Sequence, residues 1–213
     1  MTFDCKKNDN NSETMQTFLA NYWLDIVTTT LGIAYIILEY HASIWLWLVG
    51  FLMQSLGIAL YYQKGLYADC GMEFYYLAVT IYGFFAWKFG RKGGKRDNKQ
   101  LPITHFPRHL MLLWLTITAA IWAAIYFILT TYTDSKVPIA DSFTTALSVV
   151  GIWALARKYV EQWIIWIVVD IVTCMLYYYK DIPFKATLYA FYVIVAIMGY
   201  RKWKAAAISN VTN

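Results

Sequence analysis

Two tryptophans and an aspartate lie within the apolar stretch QWIIWIVVDIV at residues 162–172. Trp163, Trp166 and Asp170 are spaced i, i+3 and i+7, so a helix places them on one face, which Tyr177 continues. Indole rings attract cations through their π faces. A carboxylate beside them adds Coulomb attraction or accepts hydrogen bonds. We therefore predict that this Trp/Asp face binds a flat, positively charged heteroaromatic molecule.

The composition places this face inside a membrane. The chain is 60% hydrophobic and only 15% charged, whereas soluble domains carry about 25% charged residues. A membrane span needs about 20 mostly apolar residues. Seven stretches fit that length, at 17–38, 43–62, 72–90, 109–132, 140–156, 160–179 and 184–204. We predict an all-α integral membrane protein with seven transmembrane helices, in which a charge within a span marks a site or a pathway.

The charges in the loops predict the orientation. Residues 88–108 hold seven Lys or Arg and one acidic residue, which is typical of a cytoplasmic loop. Seven spans then place the N-terminal tail, 1–16, outside and the C-terminal tail, 205–213, in the cytoplasm. The net charge of +5 is a signal of topology on this interpretation, and we predict no nucleic-acid partner.

An internal repeat at an offset of 116 residues organises the chain. Trp47 aligns with Trp163, Gly83 with Gly199, and Trp87-Lys88 with Trp203-Lys204. We predict two three-helix repeats, 17–90 and 138–204, joined by the basic loop 91–108 and a linker helix at 109–132. A single linker helix makes the repeats parallel, and transporters built from repeats hold the substrate near the midplane between them.

Further polar residues are candidates for the same site. Gln54 aligns with Asp170 in the repeat, so we predict that it faces Asp170 across the two halves. Glu73, Tyr76 and Thr80 follow one another along the third span and are the remaining substrate-binding candidates. Glu39 and Glu161 flank cytoplasmic turns, and we interpret them as anchors of those turns.

Catalytic patterns are missing from the sequence. It contains no HExxH, no GxSxG and no Gly-rich phosphate loop. The three histidines and the three cysteines have no metal-ligand spacing. We therefore predict no enzyme activity, no metal and no cofactor. A subunit of an energy-coupled system and a proton-coupled carrier that uses Asp170 remain as alternatives.

Three stretches resemble the PnuC family of bacterial vitamin transporters. They are LYADCGMEFYYLAVTIYGFFAW at 66–87, DSFTTALSVV at 141–150 and RKYVEQWIIWIVVD at 157–170, which carries the family's WxxW. The resemblance implies a 3+1+3 helix fold, a homotrimer in the inner membrane, and facilitated diffusion of a vitamin precursor. It also implies that a cytoplasmic vitamin kinase traps the substrate, which for the best-known members is nicotinamide riboside.

The resemblance is incomplete at three candidate positions. Asp170, Glu73 and Thr80 stand where the members that carry nicotinamide riboside tend to have Asn, Gln and Asn. Two additional acids suit a ligand with more donors or more positive charge. Relatives in the family carry thiamine, whose thiazolium ring is cationic and whose aminopyrimidine can donate to a carboxylate. Nicotinamide riboside remains the first expectation from the family, and thiamine is the alternative.

Overall fold

A computed structural model describes residues 27, 30–63, 67–90, 101–133, 137–179 and 183–212. These ranges form seven α-helices and contain no strand, apart from an isolated bridge between Thr104 and Tyr159. The helices are α1 (Thr30–Tyr40 in its described part), α2 (Trp45–Gln63), α3 (Tyr67–Phe89), α4 (Met111–Tyr132), α5 (Pro138–Ala156), α6 (Gln162–Tyr179) and α7 (Pro183–Thr212). The predicted all-α class is confirmed.

The helix boundaries follow local sequence signals. Pro107 precedes the 3-10 turn that leads into α4, and Pro138 begins α5, because proline fits the first turn of a helix. Helix α7 continues to Thr212, past the predicted end at 204, so the expected tail at 205–213 is largely helical. The predicted N-terminal tail and residues 91–100 of the basic loop lie outside the described residues.

Within the described ranges, four helices are long and apolar enough to cross a membrane, namely α2, α4 with its preceding turn, α5 and α6. The described part of α1 is shorter but also apolar. Helix α2 packs on α3 and α6 packs on α7, while α5 contacts α3, α4 and α6. We call α1–α3 the first half and α5–α7 the second half.

Four buried tryptophans form the centre of the packed core. Trp47 and Trp87 meet edge to face with ring centroids 5.2 Å apart, and Trp163 and Trp203 do so at 5.7 Å. Trp87 and Trp203 then meet across the halves at 6.5 Å. All four are at most 1% exposed. This four-tryptophan core therefore holds the two halves together by burial of large aromatic surfaces.

The turns that enter α2 and α6 have the same backbone structure, 116 residues apart. Each contains a non-glycine residue in the left-handed region, Ala42 with φ 51° and Lys158 with φ 54°. Their hydrogen bonds match as well. Ala42 N donates to Glu39 O as Lys158 N donates to Leu155 O, both at 2.9 Å. Ser43 N donates to Leu38 O at 2.9 Å as Tyr159 N donates to Ala154 O at 3.0 Å.

In each half, a glycine of the third helix packs against a tryptophan of the second helix. A Cβ atom at Gly83 would lie 2.3 Å from the Trp47 ring, and one at Gly199 would lie 2.6 Å from Trp163. Any larger residue would displace the indole. Trp163 thus has a packing role, which it shares with its counterpart Trp47.

The halves also exchange hydrogen bonds beside these turns. Trp87 Nε1 donates to the carbonyl of Leu155, and Trp203 Nε1 donates to the carbonyl of Tyr40, both at 3.3 Å. Lys158 Nζ lies 4.0 Å from the centroid of the Trp87 ring. Burial lowers the pKa of Lys158 to about 8, because the charged amine loses its hydration.

The segment after the basic loop docks against the second turn. Thr104 N donates to Lys158 O, and Val160 N donates to Thr104 O. The Glu161 carboxylate hydrogen-bonds His105 Nδ1 and accepts from Phe106 N, both at 2.8 Å. The interpretation of Glu161 as an anchor is confirmed.

Candidate binding site

A cavity of about 480 Å³ lies between the two halves. Helices α1, α5, α6 and α7 supply most of its wall, and α2 and α3 add one residue each, Met53 and Tyr76. Its lining is rich in aromatic, acidic and hydroxyl side chains. The size suits a small organic molecule.

The Trp/Asp face of α6 lines this cavity as a unit. Trp163, Trp166 and Asp170 are all in the wall, with Asp170 8% exposed. Neither indole N–H has a hydrogen-bond partner in the part of the chain that the structure describes, although both are buried. An unpartnered buried donor is costly, so both indoles can donate to an acceptor on a ligand. Tyr76 and Tyr177 also line the cavity, where the Tyr177 ring stacks on Tyr189 at 5.3 Å.

Three predicted site residues lie away from the cavity. Gln54 is half-buried and does not line it; its neighbour Met53 does, because adjacent residues on a helix point about 100° apart. The carboxyl group of Glu73 packs against Gly57 of α2. Thr80 is 2% exposed and lines a separate apolar pocket of about 320 Å³. The repeat identifies equivalent positions, and equivalence does not require that two residues face one another.

Glu39 has a different place from the one expected. It flanks the turn before α2, as the sequence indicated, but it is only 4% exposed and lines the cavity near Asp170. The interpretation of Glu39 as a surface anchor is therefore wrong. The turn directs this side chain inward, toward the second half, rather than to the membrane surface.

The sequence analysis also missed a polar stripe on α5 and aromatic residues on α1 and α7. Thr144, Thr145 and Ser148 line the cavity, and each donates its hydroxyl proton to a backbone carbonyl of its own helix. Their oxygens remain able to accept hydrogen bonds. The spacing of these residues in DSFTTALSVV was a usable signal. The other missed lining residues include Tyr35, Asp141, Tyr189 and Tyr192.

Among the described residues, all the charged side chains that line the cavity are acidic. Glu39, Asp141 and Asp170 line it, and no lining residue in the described ranges is Lys or Arg. Cations are attracted to such a cavity, whereas a phosphate would face carboxylates without a counter-ion. Within the described part of the chain, no group of three His, Cys, Asp or Glu side chains is placed to hold a metal ion.

Apolar helices around a polar, aromatic cavity define a small-molecule membrane transporter. The chain belongs to the nicotinamide mononucleotide transporter family, whose model matches residues 22–205. It is therefore a multi-pass membrane transporter of the PnuC type and not an enzyme, which confirms the resemblance seen in the sequence.

Named relatives carry different vitamins. The chain is 22% identical over 205 residues to the nicotinamide riboside transporter PnuC of Escherichia coli, covering 85% of this chain and 84% of that one. It is 26% identical to the PnuC of Neisseria mucosa, covering 87% and 73%. It is 25% identical to the riboflavin/roseoflavin transporter RibM of Streptomyces davaonensis, covering 85% and 84%.

A crystal structure of the vitamin B3 transporter PnuC has the same fold. The TM-score is 0.69, with 22% identity, and the match covers 94% of this chain and 88% of that one.

Proposed function

We propose that this protein carries a cationic heteroaromatic vitamin precursor into the bacterial cell by facilitated diffusion. The observation that carries the proposal is the pairing of two carboxylates, Glu39 and Asp170, with two indoles in one cavity. Relatives are named for nicotinamide riboside, whose pyridinium ring is a flat cation. Nicotinamide riboside is therefore the first candidate substrate.

Thiamine is the second candidate, and the second carboxylate favours it. Its thiazolium ring is cationic, and its aminopyrimidine donates hydrogen bonds that a carboxylate accepts. Asp170 and Glu39 together offer one acceptor for each part of that molecule. Riboflavin, for which one relative is named, is uncharged and would not use these acids as counter-ions.

The same electrostatics explain how substrate would be retained inside the cell. A kinase that phosphorylates the vitamin turns a cation into an anion, and no lining residue in the described ranges supplies a positive charge for it. The product would not re-enter the cavity. This reasoning favours the unphosphorylated nucleoside over nicotinamide mononucleotide.

The architectural part of the proposal is a pair of parallel three-helix repeats around linker helix α4. The matched turns and the matched Trp–Gly contacts support it. The basic segment 88–108 then faces the cytoplasm, with the N-terminus outside and the C-terminus inside. Helix α4 has no buried residue, which leaves its surface for lipid and for other copies in a homotrimer. Native mass spectrometry of the detergent-solubilised protein would give the subunit number.

Uptake into proteoliposomes tests the transport mechanism. Vesicles that enclose the matching kinase and ATP are expected to accumulate labelled nicotinamide riboside or thiamine. Vesicles without ATP should only equilibrate with the external concentration. Accumulation driven by a pH gradient in the absence of kinase would instead establish the proton-coupled alternative. No uptake of either vitamin would contradict the proposed function.

A further inference from the structure

The least explained polar group in the cavity is the carboxylate of Glu39. We propose that Glu39, with Gln162 behind it, forms a second polar subsite beside the α1–α2 turn. This subsite selects ligands that carry a hydroxyl or amino donor on the part of the molecule away from the cationic ring. The inference rests on the proposed function, because it divides one ligand between two carboxylates.

The surroundings of Glu39 leave it in need of a donor. The side chain is 4% exposed, and its Oε1 atom has no hydrogen-bond partner among the described residues. The side-chain amide of Gln162 lies against the carboxylate, but within the same residues neither amide atom has hydrogen-bond geometry with any group. A buried acceptor without a donor is destabilising. A ligand hydroxyl or amine would remove that cost.

The repeat shows that the fold does not need these polar residues. Positions 116 residues away from Glu39 and Gln162 are Leu155, before the α6 turn, and Leu46, at the start of α2. Both leucines are 0% exposed members of the hydrophobic core, beside turns with matching hydrogen bonds. Apolar residues therefore occupy the equivalent positions at lower cost. Of these four positions only that of Glu39 lines the cavity, and Gln162 lies against it, which indicates a role toward a ligand.

The two carboxylates belong to different halves and have different neighbours. Asp170 shares the α6 face with Trp163 and Trp166, so it lies beside the rings that hold a flat cation. Glu39 is on α1 with Tyr35, whose hydroxyl is also buried and unpartnered. This arrangement assigns the cationic ring to the second half and the donor-bearing part to the first.

A comparison of matched ligands tests the subsite. Affinity for nicotinamide riboside is measured beside that for 1-methylnicotinamide, which keeps the cationic ring and lacks the ribose. If the protein binds thiamine instead, the partner is 3-benzyl-5-(2-hydroxyethyl)-4-methylthiazolium, which keeps the cationic ring and carries a phenyl group in place of the aminopyrimidine. The variants are Glu39→Leu, which copies Leu155, and Glu39→Gln, which keeps an acceptor. Glu161→Gln removes an acid at the other turn, outside the cavity, and is the control.

We expect Glu39→Leu to weaken binding of the full ligand about tenfold or more and to leave the truncated ligand unchanged. Glu39→Gln should fall between, and Glu161→Gln should match the wild type; thermal unfolding verifies that each variant is folded. Equal weakening of both ligands, or of neither, would overturn the assignment of Glu39 while the proposed function stands. If the wild-type protein binds no cationic vitamin, the proposed function fails and the subsite with it.

Discussion

Trp87 and Trp203 occupy equivalent positions in the two halves, and each donates its indole N–H to a backbone carbonyl of the opposite half. The acceptors are Leu155 and Tyr40, both at 3.3 Å, and the two rings lie 6.5 Å apart. The exchange connects the third helix of each half with the turn of the other half. Because these turns border Glu39 and Trp163, the exchange also fixes one end of the cavity.

Replacing either tryptophan with phenylalanine removes one of these hydrogen bonds and keeps most of the packing. We expect Trp87→Phe and Trp203→Phe each to lower the free energy of unfolding by about 1 kcal/mol more than the same change at a buried tryptophan without this hydrogen bond. The melting temperature in detergent measures this. Trp47→Phe, in the same core with an indole N–H that has no partner among the described residues, is the control and should lose packing only. Equal losses at Trp47 and Trp87 would argue against a specific role for the exchange.

The contact between Gly199 and Trp163 predicts a substitution that affects both stability and binding. A Cβ at Gly199 would lie 2.6 Å from the indole, so Gly199→Ala should displace Trp163 and destabilise the protein by about 1–3 kcal/mol. Binding of the vitamin should weaken as well, because Trp163 lines the cavity.

Two other glycines provide matched controls for this substitution. Gly83→Ala should destabilise similarly through Trp47 without a direct effect on the cavity. Gly71 has no atom within 4 Å of an added Cβ and lies within α3, so Gly71→Ala should stabilise by up to about 1 kcal/mol. If the affinity of Gly199→Ala for the vitamin is unchanged, Trp163 has a packing role only.

Asp170 is expected to determine which vitamin is preferred. Asp170→Asn removes the carboxylate and keeps the size of the side chain. We expect it to weaken thiamine more than nicotinamide riboside. The carboxamide of nicotinamide riboside can hydrogen-bond to an asparagine at this position, whereas the thiazolium ring of thiamine is attracted to Asp170 mainly through its charge. Competition between the two vitamins in a binding assay measures the ratio. An unchanged ratio would show that Asp170 does not select between them.

Lys158 gives a pH dependence with a defined sign. The folded protein releases the Lys158 proton at about pH 8, whereas an unperturbed lysine holds it to about pH 10.5. Between these values the unfolded chain binds more protons, so this residue makes the protein more stable as the pH rises. Melting temperatures of wild type and Lys158→Met, compared across pH 7–10, isolate the effect. A difference between them that does not change with pH would contradict the lowered pKa.

Much of the fold followed from the sequence because the length of an apolar stretch is a strong local signal. The stretch 160–179 was predicted as a helix, and the face with Trp163, Trp166 and Asp170 does line the cavity. The surroundings of the Glu39 and Gln54 side chains could not be predicted from the sequence. Whether a residue near a helix end faces solvent, lipid or a cavity depends on the rotation of that helix against its neighbours. The periodicity of a single helix carries no information about that rotation.

A titration of the purified protein with charged and uncharged forms of one molecule tests the central claim most directly. Nicotinamide riboside and its dihydro form differ in the charge of the ring, and thiamine and nicotinamide mononucleotide complete the set. The acidic, aromatic cavity predicts binding of a cationic vitamin, at least tenfold weaker binding of the dihydro form, and no binding of the mononucleotide. Equal affinity for the charged and uncharged forms, or tighter binding of the mononucleotide, would contradict it.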